Sequence, residues 1–207
     1  SAGRTAMEAL MPGLAEAGES MAARTGSNRI VENFLFSTLK KRVSIRNRND
    51  AAYVTARTWA KPIRQYQIDA LHTIKAAPND EFAGLIAAEL AEHVKKLFGV
   101  GAINCVVPVP CGSSGLENGL SFKIAKNLAL QLGIEFVDAF KSFQTSGKSH
   151  PRKNTRLGPP ELKIKKQLGS VLLVDDVATS GRHIELTTQA LRGMTDHIST
   201  IVWIGSD

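Results

Sequence analysis

Cysteine is nearly missing from this chain: of 207 residues only Cys105 and Cys111 carry a thiol. Their spacing fits neither a zinc ribbon nor a disulfide framework, so both are expected as free thiols, and Cys105, inside an apolar run, as core. Long apolar runs are missing too. None approaches the roughly 20 residues a membrane-spanning helix needs. The N-terminus has no charged-then-apolar leader pattern. A membrane partner is therefore not expected, and a cytoplasmic location is. Aromatic residues make up 6% of the chain, with Trp59 to Tyr66 the most aromatic stretch. No helix-turn-helix or RNA-binding signature is present, which argues against nucleic acid as the main partner. What remains is 43% hydrophobic content, enough for one good core with a small appendage.

The charge is unevenly placed. Eight of the 26 Lys and Arg, but one of the 19 Asp and Glu, fall between Lys141 and Lys166, so that segment carries the whole net charge of +7 and the remainder sums to zero. A basic surface spread over the chain would suggest nucleic acid. One basic segment in a neutral body suggests a focused anionic ligand such as a polyphosphate. The shorter run Lys40-Lys41-Arg42, with Arg46 and Arg48 beyond it, reads as a solvated helix end and loop.

In chain order, residues 1–29 are rich in Ala, Gly and small polar residues and read as an N-terminal helical appendage. Residues 30–75 form a peripheral segment. It opens with an amphipathic helix over Ile30 to Leu39 and passes a turn at Asn47 to Asp50. A strand is expected within Gln65 to Ile74. Residues 76–207 then alternate between periods. Pro78-Asn79-Asp80 starts a helix whose apolar residues Phe82, Ile86, Leu90, Val94 and Leu97 recur at helical spacing up to Gly99. Ala102 to Val107 is a buried strand closed by Pro108 and Pro110. The helix from Leu116 to Leu132, a strand from Ile134 to Phe140, a strand from Val171, a helix ending near Arg192 and a strand over Ile198 to Ile204 follow. Strands alternating with helices specify an α/β fold, doubly wound around a mainly parallel sheet.

The chemistry concentrates in Val171-Leu-Leu-Val-Asp-Asp-Val-Ala-Thr-Ser-Gly-Arg-His183. An apolar run buried on both faces leads into two carboxylates, Asp175 and Asp176, expected where the strand ends. A turn of small and hydroxyl-bearing residues follows and opens a helix. Ligands of open α/β sheets collect at the carboxyl ends of the strands. The start of a helix offers unpaired N–H groups and a positive dipole end to phosphate. Paired carboxylates accept hydrogen bonds from vicinal hydroxyls and attract a divalent cation. The stretch thus suits a sugar phosphate. Taken alone, the same acids and hydroxyls would also serve as an ordinary helix cap.

This run of residues resembles the phosphoribosyl pyrophosphate (PRPP) motif of type I phosphoribosyltransferases: an apolar strand, two acids, two residues, Thr, Thr or Ser, and Gly. The resemblance implies that Asp175 and Asp176 contact the ribose and Mg²⁺. It implies also that Ala178, Thr179, Ser180, Gly181, Arg182 and His183 hold the 5-phosphate. Arg182 and His183 depart from the family's usual small residue and Thr. By position, Cys111-Gly112-Ser113-Ser114-Gly115 corresponds to the family's pyrophosphate loop. Lys148, Arg152 and Lys153 fall where family members carry a flexible loop that closes on pyrophosphate. Val-Pro-Val-Pro before Cys111, and Ser149 to Asn154, resemble the ComF-like branch. That branch's four-cysteine zinc ribbon and its Arg-rich stretch after the loop are missing here.

The resemblance implies a transferase that moves phosphoribosyl from Mg-PRPP to a nucleobase-type nitrogen acceptor, and a homodimer is among the expectations. The family's 6-oxopurine branch carries an Asp at the position of Thr179, so that acceptor is disfavoured. A hood over the acceptor is expected from Ile30 to Ile74, where Phe34, Tyr53, Trp59 and Tyr66 are the aromatic residues, each also a core candidate. A non-enzymatic PRPP or nucleotide sensor, and a ComF-like accessory protein in DNA processing, are the rival readings.

Overall fold

The computed structural model describes residues 28–110, 118–141, 158–195 and 197–206. The described residues open with α1 over residues 28–38. A hairpin of β1 (Leu39–Arg48) and β2 (Ala51–Trp59) is followed by α2 (Gln65–Ala76) and α3 (Asp80–Leu97). Then come β3 (Cys105–Pro108), α4 (Leu120–Leu132), β4 (Glu135–Phe136), β5 (Val171–Ala178), α5 (Arg182–Leu191) and β6 (Ile198–Gly205). The six strands form one sheet in the order β1-β2-β6-β5-β3-β4. The hairpin strands β1 and β2 pair antiparallel; β2–β6, β6–β5, β5–β3 and β3–β4 run parallel. The α/β, mainly parallel expectation is met.

Local chemistry explains the elements. Asn79 caps α3, its side-chain oxygen accepting from the N–H of Glu81 at 2.7 Å and of Phe82 at 3.4 Å. Gly133 closes α4 in the left-handed conformation (φ 67). Both faces of the sheet are covered. Leu172 and Val174 of β5, Val106 of β3 and Trp203 of β6 pack under helices α1 to α4. Val171 and Leu173, Cys105 and Val107, and Val202 point the other way, onto Ile184 and Leu191 of α5. This alternation is the period-two signature of a strand buried on both sides. Cys105 is a free thiol in that core, as expected.

Two expectations fail. Gln65 to Ile74 is helical: Arg64 donates its backbone N–H to the Gln67 side chain at 2.8 Å, and Gln67, Ala70, Leu71 and Ile74 form the buried stripe of α2. Lys40 to Arg48 is a strand rather than a loop. It is the sheet edge, so its outward basic residues are compatible with pairing on one side only. The two-residue turn at Asn49 and Asp50 closes the hairpin, with Asn49 at φ 52. Residues 30–75 therefore supply α1, two strands of the common sheet and α2. Residues 1–27 lie outside the described residues. Among the described residues, no helix is long and apolar enough to cross a membrane.

Candidate functional site

The topology creates a crevice between β3 and β5. From β3 the chain crosses by α4 to β4, with α4 on one face of the sheet; from β5 it crosses by α5 to β6 on the other face. Adjacent strands whose connections depart in opposite directions leave a gap at their carboxyl ends, which is where doubly wound sheets take ligands. Pro108 of β3 lies opposite Val174 of β5, and Val109 donates its N–H to the Val174 carbonyl at 2.8 Å. The two acids come immediately after.

Asp175 and Asp176 sit inside β5 rather than beyond it, because the strand runs on to Ala178. Asp175 is in register with Val202 of β6. Both residues are buried, at 7% and 3% exposure. Successive strand residues face opposite ways, yet the two are linked: Asp175 Oδ1 accepts the backbone N–H of Asp176 at 2.9 Å. Burial, and then the neighbouring Asp176, push the Asp175 carboxyl well above the usual carboxylate range. Lys75, in the last turn of α2, places Nζ 2.9 Å from Asp176 Oδ1 and opposes that shift.

The turn after β5 carries the residues expected to hold phosphate. Together with Asp175, Val177 and Ile184, residues Ala178 to His183 line a small polar hollow of about 70 Å³. Gly181 takes a left-handed φ of 69 at the helix start, where a residue with Cβ is disfavoured. The turn is tied down from several sides. Ser206 donates its N–H to the Ala178 carbonyl at 3.1 Å and its hydroxyl to the Thr179 carbonyl at 2.6 Å. Arg182 donates its N–H to Ser180 Oγ at 3.4 Å. Burial, and then the charge of Lys75, hold the His183 imidazole below its ordinary value, against the pull of Asp176. With no anion beside it, the His183 imidazole is therefore mainly uncharged at neutral pH.

The structure thus brings Asp175, Asp176 and Ala178 to His183 into one place. Cys111 to Gly115, Lys148, Arg152 and Lys153 lie outside the described residues. Of the aromatic residues expected to cover an acceptor, Tyr53 and Trp59 are buried, and Phe34 meets Tyr66 edge to face at 5.5 Å. Sequence reasoning missed Lys75, Arg48 and Glu185. Arg48 donates to the Ser180 carbonyl and to the Glu185 carboxylate, both at 2.8 Å. These contacts join residues more than a hundred positions apart and leave no local signal.

Two carboxylates are compatible with Mg²⁺, a hard cation that keeps several waters and takes oxygen ligands from its substrate. Among the described residues no group of three or more His, Cys, Asp or Glu could hold a metal by itself, so most of the coordination would come from ligand and water.

No protein-family model matches the chain, and no curated protein matches it by sequence. Solved structures similar in outline include an adenine phosphoribosyltransferase from Saccharomyces cerevisiae, at 15% identity over 86% of this chain and 89% of that one, with a TM-score of 0.45. An orotate phosphoribosyltransferase from Aeropyrum pernix matches at 16% identity over 86% and 81%, with a TM-score of 0.41. A hypoxanthine phosphoribosyltransferase from Staphylococcus aureus matches at 13% identity over 62% and 74%, with a TM-score of 0.39. Superpositions this loose assign no function to this chain.

Proposed function

We propose that this chain is a phosphoribosyltransferase, using Mg-PRPP to transfer phosphoribosyl to a nucleobase-type nitrogen acceptor with release of pyrophosphate. The observation that carries the reading is the buried acid pair running directly into a phosphate-sized polar turn at the crevice between β3 and β5. Asp175 and Asp176 accept hydrogen bonds from the ribose hydroxyls. The N–H groups at the start of α5, with Thr179, Ser180, Arg182 and His183, hold the 5-phosphate. In the reaction the anomeric C–O bond to pyrophosphate breaks as the acceptor nitrogen forms its bond to that carbon, and the acceptor's N–H proton passes to the released pyrophosphate or to water. Positive charge grows on the sugar ring in between, and the carboxylates beside it favour that state. Mg²⁺, when bound, neutralises the leaving pyrophosphate. Cys111 to Gly115 and the cations Lys148, Arg152 and Lys153 are assigned to pyrophosphate from the sequence. Val-Pro-Val-Pro ahead of Cys111 is the feature that favours a ComF-like branch.

One observation favours the second reading, a PRPP sensor without turnover. Tyr53 and Trp59 are buried in packing, and Tyr66, though 54% exposed, is engaged edge to face by Phe34, so two of the four aromatic residues expected to cover an acceptor are not displayed. Pyrophosphate release measured with PRPP, Mg²⁺ and a panel of purine and pyrimidine bases separates the two. Steady release with one base is the expected result. PRPP binding without release from any base would establish the sensor instead.

A further inference from the structure

The hairpin formed by β1 and β2 reaches the back of the phosphate turn and grips it. Arg48, the last residue of β1, uses Nε on Glu185 Oε2 and Nη1 on the Ser180 carbonyl, each at 2.8 Å. Its neighbour Asn49, held at φ 52, donates Nδ2 to Glu185 Oε1. Arg182 Nη1 donates to Glu185 Oε2 at 3.0 Å. The Glu185 side chain is only 3% exposed, so its carboxylate is a buried junction between the hairpin and the first turn of α5. Hydrogen bonds, that from Arg48 foremost, hold its carboxyl down at about 2, keeping the junction charged at any working pH. Asp50 pairs with Arg192 at the far end of α5, which fixes the hairpin tip along the helix. From β2, Tyr53 covers Gly181 so closely that a Cβ there would lie 3.0 Å from its ring and hydroxyl.

We infer that Arg48 is a positioning residue for phosphate binding: acting on the Ser180 carbonyl and through Glu185, it fixes the Ser180–Arg182 backbone in the conformation that receives the phosphate. This rests on the phosphoribosyl reading above. The physical reason lies in the peptide between Ser180 and Gly181. In a trans peptide the carbonyl and the following N–H point in opposite directions. Anchoring the Ser180 carbonyl on Arg48 therefore aims the Gly181 N–H away from the hairpin. A glycine turn left to itself samples many conformations, and each ligand-binding event would have to select the competent one. The hairpin removes that selection before the ligand arrives, which raises affinity without a direct contact. Part of what holds the turn thus comes from a segment that precedes α2, more than a hundred positions before the turn.

An ion pair that served only the fold would lower stability and leave ligand selectivity alone, so the test compares two ligands of one site. Calorimetric titration of ribose 5-phosphate and of Mg-pyrophosphate into wild type, Arg48→Met and Arg48→Lys reads the two halves separately. The expected result is about a tenfold loss of ribose 5-phosphate affinity in Arg48→Met, the size of one lost charge-assisted hydrogen bond. Pyrophosphate affinity stays within about twofold. Arg48→Lys, which keeps the charge but cannot form both bonds, falls between. Equal losses for the two ligands, or none, overturn the inference. If Arg48→Met does not fold, Arg48→Lys gives the same comparison. A wild type that binds neither ligand refutes the phosphoribosyl reading itself, whereas a wild type that binds both and a variant that matches it refutes only the role of Arg48.

Discussion

Replacing Lys75 with Met keeps the length and apolar stem of the side chain and removes its charge. In the wild type, Nζ lies 2.9 Å from Asp176 Oδ1, with the two side chains 40% and 5% exposed. Leaving a buried acceptor without its donor costs about 1–3 kcal/mol. The exposure of Lys75 lets water take over part of its role, which brings the expected loss to about 1–2 kcal/mol at neutral pH. For a chain of this size that is a fall in Tm of about 2–8 °C. The pH dependence gives the sharper test. Burial and Asp176 raise the Asp175 carboxyl in the folded state, and Lys75 restrains that rise. A carboxyl raised on folding binds a proton in the native state where the unfolded chain does not. Its contribution is intact below the unfolded value of about 3.9 and is lost as pH rises through the folded value. Without Lys75 the folded value rises further and more stability is lost on the way up. His183 acts in the same direction, since Lys75 lowers its ordinary value, and its removal makes protonation easier in mild acid. The deficit of Lys75→Met against wild type should therefore be largest near pH 7.5 and shrink toward pH 4.5 in urea or thermal unfolding. A deficit independent of pH, or no deficit, would refute the electrostatic account of this corner of the site.

Three further outcomes can be checked, two from the geometry and one from the sequence. Gly181→Ala, at φ 69 with Tyr53 3.0 Å from the added carbon, should cost about 1–2 kcal/mol in urea unfolding. Gly193→Ala, with nothing within 4 Å of the added carbon, should stay within about 0.5 kcal/mol of wild type. Truncating Lys148, Arg152 and Lys153 together should lower kcat more than PRPP affinity in steady-state assays, since cations on a leaving pyrophosphate matter most as its charge develops.

The parts legible in the sequence are those whose signal is local. Val171 to Val174 could be read as a doubly buried strand because no polar residue interrupts it, and Pro78-Asn79-Asp80 as a helix start because the Asn79 side chain acts within three residues. The helix α2 was misread because it buries only a narrow stripe, Gln67, Ala70, Leu71 and Ile74, too sparse to outweigh the aromatic residues before it. The edge strand β1 escapes sequence reading because Lys40 to Val43 are exposed throughout and the alternation that follows turns Ser44, Arg46 and Arg48 inward and Ile45 outward, the reverse of an apolar-in pattern. The partners of the site were illegible for a different reason. Lys75 meets Asp176 across 101 positions and Arg48 meets Ser180 across 132. Such pairs exist only once β2 has joined β6 and brought the hairpin alongside α5.

The central claim is that the turn from Asp175 to His183 binds Mg-PRPP. Its most direct test is calorimetric titration of PRPP with Mg²⁺ into wild type, Asp176→Asn and Thr179→Ala. Asparagine keeps the shape of Asp176 and removes its charge, and alanine removes the Thr179 hydroxyl from the lining of the hollow. The account predicts saturable binding to wild type and markedly weaker binding to each variant, with circular dichroism and Tm showing that both remain folded. Wild-type affinity in both variants, or no binding by the wild type, would contradict it.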